Sequence, residues 1–301
     1  MTKDKPRVFL VDGSAYIFRA FFALPPLTNS AGLPTNAIYG FTTMMLKFIR
    51  QHQPQYLAVA LDAGKETFRN ELFAEYKGNR PEAPAQLIPQ FPYIRKALDA
   101  LKVPLLELQG YEADDLIATL CKTLSANECE LIVVSSDKDL MQLVTNGVKL
   151  FDSAKDRWIG APEVEAKFGV EPHRIVDVMG LMGDTVDNIP GVKGIGEKTA
   201  IALIQQFRSL ENLFEHLDDL GKTKLRGVAR IRKALEDGKS TAFLSRDLAT
   251  VKIDVPINVE IEKLRFLSPD RDKMRALFQE LEFTNLLKLL DNNAEADAAG
   301  D

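Results

Sequence analysis

The sequence predicts an α/β protein with a mostly parallel central sheet flanked by helices, followed by a helical C-terminal portion. Short apolar runs such as residues 8–11 and 131–134 alternate with amphipathic segments, a pattern typical of buried parallel strands joined by helical crossovers. Acidic residues follow these runs directly, where parallel strands end at a common crevice. From about residue 162 onward the strand-like runs stop and helical periodicity dominates. We therefore expect an α/β core over residues 1–160 and a helical portion over residues 161–290.

The elements of the core follow from the spacing of the apolar residues along the chain. The pattern predicts strands at 7–12, 56–62, 130–135 and 148–151, an extended piece at 103–108, and helices at 16–22, 36–52, 87–101, 112–125 and 137–145. The segment after the second strand is polar, basic and aromatic and contains Pro81 and Pro84. We expect it to form a mobile insertion of about residues 64–90 that lies outside the core.

Two features mark the helical portion. Glycines at 191, 194 and 196 stand just before a predicted helix at 197–207, which indicates a tight turn that exposes backbone N–H groups at a helix N-terminus. Residues 291–301 are acidic and poor in apolar side chains, so they are expected to form a disordered tail.

The composition is that of a soluble globular protein, with 46% hydrophobic and 27% charged residues among 301. No apolar run approaches the roughly 20 residues of a membrane helix, and the N-terminus lacks a signal-peptide core, so we expect a cytoplasmic protein without membrane contact. Cys121 and Cys129 lack metal-ligand spacing and are expected to be reduced and structural. The net charge of −5 argues weakly against a nucleic-acid partner, unless many acids are concentrated in one pocket.

The acids at the strand ends are the main functional signal. They are Asp12, Asp62, Glu112, Asp114, Asp115, Asp137, Asp139, Asp184 and Asp187. Carboxylates about 4 Å apart repel by roughly 4 kcal/mol at an effective dielectric near 20, so such a cluster calls for cations. Oxygen ligands suit Mg²⁺ or Mn²⁺, and a pair of such ions supports phosphodiester hydrolysis.

Each acid also has an ordinary structural interpretation when it is taken alone. Asp12 and Asp62 could cap the turns that follow their strands, Asp137 and Glu112 suit helix N-termini, and the last two acids could be turn residues before Pro190. Their repeated occurrence at the same topological edge favours a shared metal site. One conflict remains in the motif YEADDL: at about 100° per residue Glu112 and Asp115 share a helix face while Asp114 points away, so all three converge only on an irregular first turn.

Basic residues form two stretches. Lys65, Arg69, Lys77 and Arg80 are interleaved with aromatic residues, which predicts a surface for single-stranded nucleic acid, although a solvated helix face is the alternative. Residues 222–239 are also basic, with the same alternative. Lys193 and Lys198 flank the glycine turn, whose N–H groups suit a DNA phosphate.

The motifs VDGSAYIFRAFFA, ALDAG, TFRNELFAEYKGNRP, YEADDL, VSSDKDLMQLV and GDTVDNIPGVKGIGEKTA occur in this order. Over about residues 6–290 the chain resembles the structure-specific 5′-nuclease (flap endonuclease) family. Within that family it is most similar to the N-terminal 5′→3′ exonuclease domains of bacterial DNA polymerases I. The resemblance implies a PIN-like 5′-nuclease fold, a helical arch over the active site and a helix-two-turn-helix element at about 184–210. It also implies 5′→3′ exonuclease and 5′-flap endonuclease activity in DNA replication and repair.

The family's site residues transfer to this sequence by motif. Asp12, Asp62, Glu112 and Asp114 would serve a first Mg²⁺ or Mn²⁺, and the other five acids would serve a second ion or its water shell. Lys77 and Arg69 would be catalytic, with Lys77 as the electrophilic partner of the phosphate. The implied nucleic-acid contacts are Arg19, Tyr76, Arg80, Lys193, Gly194, Gly196, Lys198, Lys222, Lys224 and Arg226. The carbonyls of the hairpin would hold K⁺.

The implied partners are DNA with a 5′ flap, a nick or an RNA primer end, and a DNA polymerase that is covalently linked or separate. The protein would act as a monomer near the nucleoid. A catalytically weak flap-binding module is the alternative, although it would be expected to have lost acids from the cluster. A two-metal phosphatase would need neither the arch nor the hairpin.

Overall fold

The structure is a computed structural model that describes residues 5–125 and 129–298. Its centre is a six-stranded sheet in the order β3-β2-β1-β4-β5-β6. The strands are β1 (Arg7–Asp12), β2 (Tyr56–Ala60), β3 (Leu105–Leu106), β4 (Glu130–Val134), β5 (Val148–Asp152) and β6 (Arg157–Ile159). All neighbours pair in parallel except β5 and β6, which are antiparallel.

Helices cover both faces of the sheet. They are α1 (Gly13–Ala23), α2 (Asn36–His52), α3 (Phe68–Leu72), α4 (Phe91–Ala100), α5 (Ala113–Leu124), α6 (Ala161–Phe168), α7 (Ile175–Met182), α8 (Glu197–Phe207), α9 (Leu210–Glu215), α10 (Val228–Ala249), α11 (Arg271–Glu280) and α12 (Thr284–Ala298). Successive residues of β1 point to opposite faces: Val8 and Leu10 join the core under α5, α7 and α10, while Phe9 and Val11 join the core under α1, α2 and α4.

The predicted parallel core is confirmed, with three local differences. The antiparallel strand β6 was not predicted, because its three residues are too few to show alternation. The predicted helix at 137–145 is a short 3-10 helix over Asp139–Leu143. Residues 291–298, which were expected to belong to a disordered tail, continue helix α12 to Ala298, and this helix packs through the buried Leu286 and Leu290 that precede them. Residues 299–301 lie outside the described residues.

The insertion at residues 64–90 packs against the core, contrary to the expectation that it lies outside. Its only α-helix in the described structure is the five-residue α3, which Thr67 caps by accepting a hydrogen bond from the Arg69 N–H. Arg69 and Tyr76 are buried, with 2% and 5% of their surface exposed. The basic and aromatic side chains that suggested a solvated segment therefore include two that anchor it.

The segment between α7 and α8 forms a compact hairpin at residues 183–196. Gly183 and Gly191 both have positive φ (70° and 60°), and they lie so close that a Cβ on Gly191 would stand 2.4 Å from the Gly183 nitrogen. Val192 packs against Gly238 of α10, where a Cβ would meet its methyl carbon at 2.9 Å. The hairpin is therefore fixed to the long helix α10. In the part of the chain that the structure describes, no helix combines the length and apolarity needed to cross a bilayer.

Candidate active site

Seven of the nine predicted acids line one pocket of about 270 Å³ at the carboxyl ends of β1, β2 and β4. The seven are Asp12, Asp62, Glu112, Asp114, Asp137, Asp139 and Asp187. Phe18, Lys77 and Arg80 also line it. The convergence expected from parallel strand ends is thus present, and Asp115 and Asp184 lie outside the pocket lining.

Asp12 both caps α1 and faces the pocket. Its carboxylate accepts hydrogen bonds from the Ala15 N–H at 3.0 Å and from the Ser135 hydroxyl at 2.8 Å. Ser135 in turn accepts a bond from the Asp137 N–H at 3.0 Å. Burial, opposed by these bonds, and the nearby Asp62 and Asp137 raise the pKa of Asp12 from 3.8 to about 6. Asp12 therefore caps α1 and also lines the pocket, while its role as a metal ligand stays a prediction. Ser135 is a supporting residue that the strand-end pattern did not reveal.

Asp139 contains the clearest unsatisfied polar atom of the pocket. Its backbone N–H donates to Asp137 at 2.9 Å, but its own Oδ1 is buried without a hydrogen-bond partner in the described structure. Burial, and next the charge of Asp137, raise the pKa of Asp139 from 3.8 to about 7. A buried carboxylate oxygen without a partner is costly, so this atom is a candidate ligand for a cation.

The start of α5 resolves the conflict in YEADDL. Glu112 precedes the helix with extended backbone (φ −89°, ψ 159°), so its side chain does not follow the helical spacing. Asp114 consequently lines the pocket, as its assignment to the site requires, although regular helical spacing would turn it away. Burial and the charges of Asp12 and Asp137 raise its pKa well above the usual value.

Asp115 has a different role, which contradicts the prediction that it serves a metal. The residue is fully buried, and both carboxylate oxygens accept bonds of 2.8 Å from the Arg69 guanidinium. They also accept the backbone N–H groups of Glu112 and Lys252. Arg69 donates further to the carbonyls of Leu248 and Thr250. Its guanidinium is therefore committed to joining α3, α5 and the end of α10, and the predicted catalytic contact of Arg69 with phosphate is not supported by this geometry.

The insertion places two cations at the pocket. The Lys77 ammonium lies 2.8 Å from Glu112 Oε1 and 3.8 Å from Asp187 Oδ2, and Arg80 forms an ion pair with Asp187. Burial acts to lower the pKa of Lys77, but Glu112 and Asp187 outweigh it and raise the pKa. Tyr76 is buried, with its hydroxyl 3.3 Å from Glu112, so it supports Lys77 instead of offering an open ring to a base.

Asp184 is held by a residue that the motif analysis did not select. Lys138 Nζ lies 2.6 Å from Asp184 Oδ2, and the Val186 N–H donates to the same carboxylate at 2.7 Å. Burial would raise the pKa of Asp184, but these two bonds hold it below its usual value. A ligand role of Asp184 through water stays a prediction. The alternation of Asp137, Lys138 and Asp139 is the sequence signal that could have drawn attention to this lysine.

The donor set of the pocket fits divalent cations. Among the described residues, Asp12, Asp62, Asp114, Asp137 and Asp139 have no lysine or arginine partner, whereas Glu112 and Asp187 do. As the side chains stand, no three acidic, histidine or cysteine residues within the described ranges are close enough to hold one ion by themselves. Water would therefore complete the coordination, which is the usual mode for Mg²⁺.

The predicted nucleic-acid residues divide into two groups. Lys193 and Lys198 at the hairpin, and Lys224 and Arg226 before α10, are exposed and form no ion pair in the described structure. A Cβ added at Gly194 would stand 3.9 Å from a guanidinium nitrogen of Arg230. The hairpin and the start of α10 therefore share one basic face.

Of the other predicted DNA-contacting residues, Lys222 and Arg19 bind groups within the protein, and Gly196 is open. Lys222 pairs with Asp219 at 2.7 Å. The Arg19 guanidinium packs over the ring of Tyr16 and donates to the Ser153 hydroxyl at 3.3 Å. Gly196 is the exposed residue that precedes α8, and a Cβ there would meet nothing within 4 Å.

Comparison with known protein families identifies this architecture. A model of the N-terminal resolvase-like domain of 5′-3′ exonucleases matches residues 7–169, and a model of their C-terminal SAM fold matches residues 170–272. The chain belongs to the 5′-3′ exonuclease family. The predicted family and fold class are thereby confirmed.

Relatives of two kinds fall in this family. DNA polymerase I of Bacillus subtilis is 43% identical over 299 residues, which are 98% of this chain and 33% of that protein. This chain thus spans about a third of the curated relatives with that name. A protein of Aquifex aeolicus named 5′-3′ exonuclease is 42% identical over 94% of this chain and 95% of its own length.

Solved structures of 5′-nucleases have the same fold. T5 5′-exonuclease with bound zinc matches 81% of this chain and 89% of its own, with 26% identity and a TM-score of 0.66. The catalytic core of Rad2 in complex with DNA substrate covers 93% of this chain and 88% of its own, with 17% identity and a TM-score of 0.63. The latter likeness concerns the fold alone.

Proposed function

We propose that this chain is a divalent-metal-dependent 5′→3′ exonuclease and 5′-flap endonuclease. Its substrates would be nicked or flapped duplex DNA and RNA primer ends during replication and repair. The observation that carries the proposal is the pocket in which seven acids meet, five of them without a lysine or arginine partner among the residues that the structure describes. Family membership and the basic face at the hairpin support it.

In this proposal Asp12, Asp62, Asp114, Asp137 and Asp139 hold Mg²⁺ or Mn²⁺, with Glu112 and Asp187 completing the site. Bound divalent ions would supply an activated water and neutralise charge on the leaving oxygen. The hairpin carbonyls around residues 191–196 would hold K⁺ beside the duplex. A cytoplasmic monomer at the nucleoid, working with a linked or separate DNA polymerase, is the expected setting.

The side chains of the chain itself have defined tasks. Lys77 Nζ, at the mouth of the pocket, would move from Glu112 to the scissile phosphate and stabilise its developing negative charge. Arg80 would orient the same phosphate from the other side of Asp187. Lys193, Lys198, Lys224 and Arg226 would contact the duplex backbone, which positions the substrate without reading its sequence.

The decisive experiment is digestion of a 5′-labelled flap duplex with Mg²⁺, read for product size. Oligonucleotides cut at the junction would identify endonuclease action, and mononucleotides would identify exonuclease action. Asp139→Asn should abolish cleavage and leave flap binding in Ca²⁺ intact, whereas the matched change Asp156→Asn, in an exposed turn, should alter neither. Binding by the wild-type protein without any cleavage would instead favour the catalytically weak flap-binding module.

A further inference from the structure

The segment 75–80 of the insertion and the loop 184–188 at the start of the hairpin lie side by side. Besides the ion pair of Arg80 with Asp187, three hydrogen bonds to main-chain carbonyls join them. The Lys77 backbone N–H donates to the carbonyl of Asp187 at 2.9 Å. The Asn79 side-chain amide donates to the carbonyl of Thr185 at 2.6 Å, and the Asn188 side-chain amide donates to the carbonyl of Glu75 at 2.7 Å. Each asparagine side chain thus donates to a main-chain carbonyl of the opposite segment, and the Lys77 contact lies between the two bonds.

The backbone on both sides is built for this contact. Lys77 and Asn188 adopt left-handed conformations, with φ of 55° and 56°. Asparagine tolerates this region better than most residues, whereas lysine does so rarely. At Lys77 the left-handed turn places the backbone N–H on the loop while the ammonium reaches Glu112.

The loop 184–188 is tied firmly to the rest of the hairpin. Asp184 and Ile189 exchange two backbone hydrogen bonds of 2.9 and 2.7 Å, which close the loop into a tight unit. Gly183 and Gly191 then pack against each other at its base. A shift of the hairpin on a duplex would therefore move the carbonyls that the insertion holds.

We propose that Asn79 and Asn188 form a clasp that couples the hairpin to the placement of Lys77 at the acidic pocket. The two asparagines are positioning residues that act through Lys77, and this role rests on the proposed nuclease function. Engagement of the hairpin by duplex would hold segment 75–80 in register over the pocket. Cleavage would then be favoured on substrates that carry both a duplex and a 5′ strand.

The first test measures single-turnover cleavage of a 5′-labelled flap duplex in Mg²⁺. Asn79→Ala and Asn188→Gly, the latter compatible with positive φ, should each lower the rate by about 5-fold, the magnitude of one net hydrogen bond. In a Lys77→Ala background the same changes should have no further effect. The matched control is Asn212→Ala, which removes a similar amide-to-carbonyl bond of 2.6 Å to Phe207 away from the insertion, and it should leave the rate unchanged.

The second test does not depend on activity. Hydrogen exchange of the peptide covering residues 73–81 should be faster in both clasp variants, while the peptide covering α8 is unchanged. Adding plain duplex DNA in Ca²⁺ should slow exchange of residues 73–81 in the wild type and not in the variants.

The outcomes separate the clasp from the nuclease function. Two results would overturn the clasp and leave the nuclease proposal standing. One is that the rate losses of the clasp variants add fully to the loss in Lys77→Ala. The other is that hydrogen exchange of residues 73–81 is the same in the clasp variants as in the wild type. A wild-type protein that fails to cut would refute the nuclease function, and the exchange experiment alone would then decide whether the asparagines join the two segments.

Discussion

Replacing Asp139 by asparagine should stabilise the metal-free protein at high pH even though it removes a candidate metal ligand. The pKa of Asp139 is raised in the folded state from 3.8 to about 7, by burial and by Asp137. A group with a raised folded pKa favours the native state below its unfolded pKa, and this contribution is lost as pH rises through the folded pKa. The wild type should therefore lose stability between about pH 4 and pH 7, and the amide cannot ionise.

The shift sets the size of the effect. A rise from 3.8 to about 7 corresponds to about 4 kcal/mol at 1.36 kcal/mol per pKa unit. For a chain of this size such a gain raises Tm by on the order of 8 °C. We expect this difference between Asp139→Asn and the wild type at pH 8 in EDTA, and almost none at pH 4.

Thermal unfolding followed by circular dichroism at both pH values is the assay, with Asp115→Asn as the contrast. That change removes the carboxylate that accepts two bonds from the buried Arg69 guanidinium and leaves it only Glu112 Oε2 at 3.6 Å, so it should destabilise the protein by about 3 kcal/mol or more. The predicted cost of the Asp139 charge is refuted if Asp139→Asn unfolds at or below the wild-type temperature at pH 8. It is also refuted if the Tm changes of Asp139→Asn and Asp115→Asn have the same sign.

Three further outcomes are expected. Lys77→Ala should lower the single-turnover rate of flap cleavage by 100-fold or so while changing Kd little, because the ammonium serves developing charge; a change confined to Kd would remove it from that role. Lys224→Gln and Arg226→Gln should weaken duplex binding and each reduce the salt slope by about 0.9, whereas Lys222→Gln, already paired with Asp219, should change it less. A salt slope equal to that of the wild type in all three variants would mean that residues 222–239 form a solvated surface without DNA contacts. Gly183→Ala should destabilise the fold by about 2 kcal/mol or more in urea titration, since its Cβ would stand 2.4 Å from the Ile189 carbonyl; an unchanged midpoint would mean that the hairpin can relax.

Much of the fold and of the site was predictable because it depends on period and topology. Parallel strands bring their carboxyl ends together whatever the details of the loops, so Asp12, Asp62 and Asp137 could be assigned to one pocket from sequence alone. Strand β6 could not, since three residues carry no period.

Of the two neighbouring acids Asp114 and Asp115, sequence reasoning could not settle which one faces the pocket, for a local reason. Their directions depend on the backbone angles of Glu112, which is extended and stands outside the helix. Charge alone also does not separate a metal ligand from a buried ion-pair partner. That distinction depends on Arg69, 46 residues earlier in the chain, which meets Asp115 only in the folded protein.

The unpredicted strand β6 has a consequence for how this protein behaves in a crowded solution. The two outermost strands of the sheet, β3 and β6, have two and three residues, so little open backbone remains at either margin. Trp158 of β6 also packs against Phe151 of β5, with ring centroids 4.9 Å apart and planes tilted by 41°, which holds the short strand beside its longer neighbour. Loss of β6 would expose the unpaired N–H and C=O groups along β5. Molecules with this exposed edge would pair through it and form aggregates.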